Sequence, residues 1–100
     1  MDTIQLRKTV VEKLMKVIDP ETGTDVIRMR LVQDLSIDEN GKVTYTFRPS
    51  SPLCPIAVPL ALMIIQAVEE VPGVSSQSVT VLDYIQADQL NEILKSILEE

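Results

Sequence analysis

The sequence predicts a small α+β domain, a two-layer sandwich with the element order α-β-β-α-β-α. Three observations predict it. Apolar residues recur at helical spacing near both ends of the chain. The middle switches to a period of two around an Asn-Gly pair. Between two of the period-two segments lies a long, almost wholly apolar stretch bounded by prolines. Alternation that leaves one strand face polar implies a small, mainly antiparallel sheet covered on one side, with the helices packed on that face.

The first element is an amphipathic helix over residues 3–17. Leu6, Val10, Leu14 and Val17 fall at spacings of four, four and three, with Val11 and Ile18 widening the stripe. Asp2 or Thr3 is placed to cap it. Pro20 ends it, because the residue before a proline disfavours the helical region. Asp19-Pro20-Glu21-Thr22-Gly23 then reads as a turn, although two carboxylates two residues apart could also serve a metal or a general base.

From Val26 the period is two. Ile27, Met29 and Leu31 alternate with Arg28 and Arg30, and Leu35 and Ile37 with Asp34, Ser36 and Asp38. This predicts one long bent strand, or two short ones broken at a bulge near Val32 and Gln33. Asn40-Gly41 marks a hairpin. The return strand is Val43 to Arg48, with Val43, Tyr45 and Phe47 on one face.

Pro49 and Pro52 stop that strand. Cys54 is an N-cap candidate and Pro55 suits the first helical position, so a helix is predicted from there to about Glu70. Pro59 conflicts with so early a start and argues for a beginning nearer Val58. After Cys54 the polar side chains of this helix are only Gln66, Glu69 and Glu70, and the stripe they share runs back through Leu62 and Met63. A helix so apolar is covered on more than one side, by this chain, a second copy or a partner. Pro72-Gly73 closes it. Ser78 to Leu82 is the third strand. A right-handed crossover from the second strand is expected to leave the middle position to the first, giving the order 2-1-3. Leu90, Ile93, Leu94, Ile97 and Leu98 define a last helix over residues 87–99.

One hundred residues make a single domain spanning residues 1–100. The core is aliphatic, since only three residues are aromatic and tryptophan is absent. A net charge of −6 disfavours nucleic acid and anionic membranes as partners, and the Gly-x-x-Gly loop of a KH-like RNA module is absent. The charged N-terminus predicts no signal peptide. The longest uninterrupted apolar run, Leu60 to Ile65, is far below the roughly 20 residues of a membrane span. One cysteine forms no disulfide within the chain, which points to the cytoplasm.

With no histidine and one thiol, Cys-His and Ser-His-Asp catalysis, dithiol chemistry and a four-ligand zinc site within one chain are unavailable or disfavoured. The chain is therefore expected not to be an enzyme. Nothing else resembles a chemical site as closely as Arg48-Pro49-Ser50-Ser51-Pro52-Leu53-Cys54-Pro55. A thiol at a helix start is biased toward thiolate, and Ser50 and Ser51 offer hydrogen bonds to a sulfur or a bound ligand. A lone cysteine is also, commonly, a buried small hydrophobe. One thiolate per chain suits iron or an iron–sulfur cluster held transiently between subunits or handed to a client.

The chain resembles the MIP-eighteen family, also called domain of unknown function fifty-nine, an iron–sulfur cluster assembly domain that includes the Suf-T and PaaD-like proteins. The resemblance rests on Asp19-Pro20-Glu21, on Val26 to Val32, on Ser50 to Pro55, on Val71-Pro72-Gly73-Val74 and on Val79-Thr80-Val81, and covers residues 6–84. It depends on their order and spacing together. Arg30 stands where the family usually has glycine, and Ser50 where it usually has threonine. The resemblance implies that Cys54 is the cluster- or metal-contacting thiol, with Asp19, Glu21 and Ser50 at the same end of the sheet. It implies a transfer or targeting factor whose partners are client apo iron–sulfur proteins or other assembly factors. PaaD-like members are similarly tied to assembling a metal-containing oxygenase. The other reading of the residues is an adaptor that recruits clients through the apolar helix 56–70. That helix also predicts a homodimer.

Overall fold

The computed structural model describes residues 3–20, 22–50, 53 and 56–98. Its elements are α1 (Thr3–Leu14), β1 (Val32–Ile37), β2 (Lys42–Phe47), α2 (Ala57–Glu69), β3 (Ser76–Val81) and α3 (Ala87–Leu98). The expected α+β class and element order are observed. No helix among the described residues is long and apolar enough to cross a membrane.

In α1 the stripe Leu6, Val10 and Leu14 is buried. The helix stops three residues before the predicted end. Lys16 and Val17 donate to carbonyls only three residues back, tightening the last turn, and the Val17 carbonyl then accepts from the Val26 amide at 3.0 Å. Asp2, one of the two candidate caps, lies outside the described residues.

The strand predicted from Val26 begins only at Val32. Residues 26–30 make a single helical turn instead. Asp25 caps it: its Oδ1 accepts from the Ile27 and Arg28 amides at 3.0 and 2.9 Å. Arg30 closes it in the left-handed region at φ 59°, and the Leu31 amide reaches back to the Val26 carbonyl at 3.0 Å. One turn buries Val26 and Leu31 and leaves Arg28 and Arg30 exposed. It thus accounts for much of the same apolar–polar alternation as a strand. The predicted bulge is real but falls slightly later, between Gln33 and Ser36, with Asp34 at φ 53°.

The sheet order is β1-β2-β3, which corrects the predicted 2-1-3. β1 pairs with β2 antiparallel, from Val32↔Phe47 to Ile37↔Val43. β3 pairs with β2 in parallel, from Lys42↔Ser76 to Phe47↔Val81. The sheet is therefore mixed. The crossover through α2 returns β3 to the strand it left. Burial explains the choice: Val43, Tyr45 and Phe47 of β2 are all at most 1% exposed. Such side chains need neighbours on both flanks. β1 is only half-buried for most of its length and carries the bulge, features suited to an edge.

The β1–β2 hairpin turns through Glu39-Asn40-Gly41, with the Asp38 amide bonded to the Lys42 carbonyl at 3.1 Å. Gly41 has φ 82°, and a Cβ there would lie 2.3 Å from the Gly73 carbonyl oxygen. Only glycine fits that approach. The Ser75 amide and hydroxyl bond the Gly41 and Asn40 carbonyls at 3.0 and 2.6 Å. The Pro-Gly turn after α2 is thereby fastened to the hairpin.

α1 packs on α2 and β1, α2 on β3, and α3 chiefly on β3, with Leu90 and Leu94 joining the common core. A buried polar link crosses the layers. Tyr45 donates to Gln77 Oε1 at 2.8 Å, and Gln77 Nε2 donates to the Ile65 carbonyl at 3.0 Å. Burial pushes the Tyr45 phenol well above the ordinary value of 10.0. Its neutral form is favoured in the folded state, so this contribution to stability is complete below about pH 10 and is lost as pH rises further. Tyr45→Phe is expected to cost about 1–2 kcal/mol at neutral pH, because Gln77 Oε1 loses its donor. Denaturant melts from pH 7 to 11 should show that loss, together with a weaker alkaline decline than in the wild type.

Candidate functional site

The segment bearing the thiol leaves the sheet at the end of β2. The Arg48 amide donates to the Leu31 carbonyl at 2.7 Å, and the Leu82 amide donates to the Phe47 carbonyl at 3.1 Å. Arg48 also pairs with Asp83. Both side chains are about half exposed, so the pair is worth at most about 1 kcal/mol. Pro49 is buried and Ser50 exposed. At the other end, α2 starts at Ala57 with Ile56 as its N-cap, and no side chain caps it. Cys54 is therefore not the N-cap. Pro59 supplies the reason. A helix begun at Pro55 would place Pro59 where its absent N–H and its ring oppose the helical bond to Pro55, whereas a start at Ala57 puts Pro59 in the first turn. Cys54 itself lies outside the described residues, as do Ser51 and Glu21.

Asp19 is 1% exposed. Its loop is a tight reversal: the Asp19 amide donates to the Thr24 carbonyl at 3.0 Å, the Asp19 carbonyl accepts from Thr22 and Gly23, and Ile18 pairs with Asp25. Gly23 is in the left-handed region at φ 72°. Among the described residues, no buried side-chain nitrogen or oxygen is without a partner, so the Asp19 carboxylate is satisfied where it stands. The backbone bonds of this loop are those of a tight turn. Backbone bonds run from Val17 to Val26, from Val26 to Leu31 and from Leu31 to Arg48. They carry the base of the Asp19 loop to the end of the sheet from which Ser50 departs.

No group of three or more metal-ligating side chains occurs among the described residues. What they do show around the start of α2 is apolar surface. Leu53, Val58, Leu62 and Met63 are all exposed, Leu53 to 69%. The apolar stripe of α2 foretold Leu62 and Met63. Asp25 was missed as a cap, because its signal, a short polar residue before a buried valine, sits inside an alternating run that reads as strand. Gln77 was missed because a lone glutamine beside a serine carries no mark of burial.

A family model described as iron-sulfur cluster assembly protein matches residues 7–81. The chain belongs to the iron–sulfur cluster assembly protein family. An uncharacterized protein of Methanocaldococcus jannaschii is 30% identical over 89 residues, covering 89% of this chain and 94% of the relative. The Fe-S protein maturation auxiliary factor YitW of Bacillus subtilis is 30% identical over 77 residues, 77% of this chain and 76% of that protein. The chloroplastic Fe-S cluster assembly factor HCF101 of Arabidopsis thaliana is 32% identical over 74 residues, 73% of this chain but only 14% of that protein. The crystal structure of a domain of unknown function DUF59 from Bacillus anthracis superposes with a TM-score of 0.73, at 25% identity and 95% coverage of both chains.

Membership places the chain in iron–sulfur cluster assembly. It also gives the departure at Arg30 a physical meaning. Arg30 itself is exposed and falls at a left-handed helix terminus, where a side chain is strained. Backbone conformation by itself accounts for a glycine there. Arg30→Gly is expected to stabilise the domain by about 0.5–1 kcal/mol, the relief of strain less the added chain entropy of glycine. Chemical denaturation measures it; a loss of stability would mean that the arginine side chain makes a compensating contact.

Proposed function

We propose that this chain is a transfer factor of iron–sulfur cluster assembly that contacts its cargo, iron or a cluster, through Cys54. The family match carries the proposal, since it spans the only thiol together with the segments on either side. The local physics supports it. The thiol stands in a short connection anchored to the sheet at Arg48 and to α2 at Ile56. In sequence the thiol comes just before the positive end of α2, whose first turn holds no acidic residue to compete for it. A nearby thiolate, the form that binds iron, is favoured there. Ser50 and Ser51 supply hydroxyls to the sulfur or the cargo, and Asp19 and Glu21 are assigned to the same cargo-contacting end of the sheet. One thiol leaves further iron ligands to come from a client apo-protein, another assembly factor or a second copy. The cluster is cargo in transit rather than a resident group, and the setting is cytoplasmic.

A second reading draws on the exposed Leu53, Val58, Leu62 and Met63. Here the same end of α2 recruits clients, or pairs two copies, and Cys54 is structural. Anaerobic iron–sulfide reconstitution followed by absorption spectroscopy tests the first reading. Wild type should gain cluster absorption that Cys54→Ser lacks, and Cys54→Ser should fail to support client maturation. If Cys54→Ser matures clients normally while Leu62→Glu does not, the thiol reading is wrong and the recruiting surface is right.

A further inference from the structure

The hairpin pair Asn40-Gly41 has a chemistry of its own. Glycine has no Cβ to shield its amide nitrogen. That nitrogen can attack the side-chain carbonyl carbon of the asparagine before it, closing a five-membered succinimide and releasing ammonia. Water then opens the ring to aspartate or isoaspartate. The Gly41 nitrogen must shed its proton for this, and the peptide plane joining the two residues must rotate. The fold holds that plane at both of its polar atoms. The Gly41 amide donates to the Asp38 carbonyl at 3.1 Å, and the Asn40 carbonyl accepts from the Ser75 hydroxyl at 2.6 Å. The next plane is held too, since the Ser75 amide donates to the Gly41 carbonyl at 3.0 Å. Gly41 is buried against the Gly73 carbonyl, whereas Asn40 is exposed to water. Asp38 is part of the hairpin itself, and its Oδ1 also takes the Asn40 and Lys42 amides at 2.9 Å. Ser75 comes from the turn after α2, 35 residues from Asn40. The hairpin alone can supply the first restraint; the second exists only when the turn is fastened to it.

We propose that Asn40-Gly41 is a self-modifying site with Ser75 as its catch. While the turn after α2 is fastened, the plane stays fixed and Asn40 persists. When hairpin and turn part by local opening, short of global unfolding, the Gly41 nitrogen bonds to the Asn40 side-chain carbonyl carbon and ammonia leaves. Hydrolysis by water gives mainly isoaspartate, and the change is one-way. Isoaspartate routes the main chain through the former side chain, adding a methylene before Gly41. The carbonyl that Ser75 bonded becomes a free carboxylate outside the main chain. The fastening is then lost. The inference rests on this turn alone and holds whether or not Cys54 carries a cluster.

The full chain and a synthetic peptide of residues 37–44 are incubated at mildly alkaline pH. Peptide-mapping mass spectrometry follows the exchange of amide for acid at Asn40 and separates isoaspartate from aspartate. The full chain should react at least roughly tenfold more slowly than the peptide, the factor for an opening step that precedes the chemistry. Ser75→Ala should speed the reaction roughly fivefold, the factor for one hydrogen bond, and Ser75→Thr, which keeps the hydroxyl, should not. Tyr45→Phe, which weakens the core away from this turn, should leave the rate near that of the wild type. In the isoaspartate form the Ser75 amide should lose its protection from hydrogen exchange. Equal rates in chain and peptide, or in wild type and Ser75→Ala, would overturn the proposal. So would equal acceleration by Tyr45→Phe and Ser75→Ala, which would put the gate in global unfolding, or a Ser75 amide still protected after modification.

Discussion

The burial of β2 is the constraint on which the rest of the structure depends. Val43, Tyr45 and Phe47 project from one face of this strand into the common core. Their cover comes from α2 and from strands on both flanks. Tyr45 adds directionality, because its hydroxyl must be bonded once buried, and Gln77 answers it from β3 while holding α2 through Ile65. One polar chain thus fixes how β2, β3 and α2 sit against each other. Removing a partner would leave a buried polar atom unsatisfied, which costs more than the bond contributes when made.

Both ends of β2 carry the features that distinguish the chain. At its start, the hairpin glycine lies against the turn that follows α2, so two distant sequence motifs, Asn-Gly and Pro-Gly, are one contact in space. At its end, Phe47 and Arg48 are held by Leu82 and Leu31, and the thiol-bearing segment departs from that fixed point. The segment is short, and α2 begins only where Pro59 tolerates a helix. The two ends of the segment are therefore set by backbone hydrogen bonds and one proline.

Several residues that resemble functional groups are explained by conformation. Asp25 and Asp38 cap a helical turn and a hairpin. Asp19 is buried in a loop with its carboxylate satisfied. Arg30 occupies a left-handed terminus. The thiol and the apolar start of α2 carry the case for chemistry and recruitment.

The sequence by itself determined the number, type and order of the elements, the hairpin, and the burial of Leu6, Val10 and Leu14 in α1 and of Leu90 and Leu94 in α3, although Ile93 and Ile97 of the predicted last stripe are exposed. These depend on local periodicity and on the backbone limits of proline and glycine, which act within a few residues. Tertiary structure decided what periodicity leaves open. Alternation states which face of a strand is buried but not which strand lies beside it, so the central place fell to β2 once its large side chains needed two flanks. Alternation over six residues is also met by a capped helical turn, and the cap at Asp25 decided for the turn between Val26 and Arg30. The start of α2 was visible as a conflict between Pro55 and Pro59, and helix geometry resolved it in favour of Ala57.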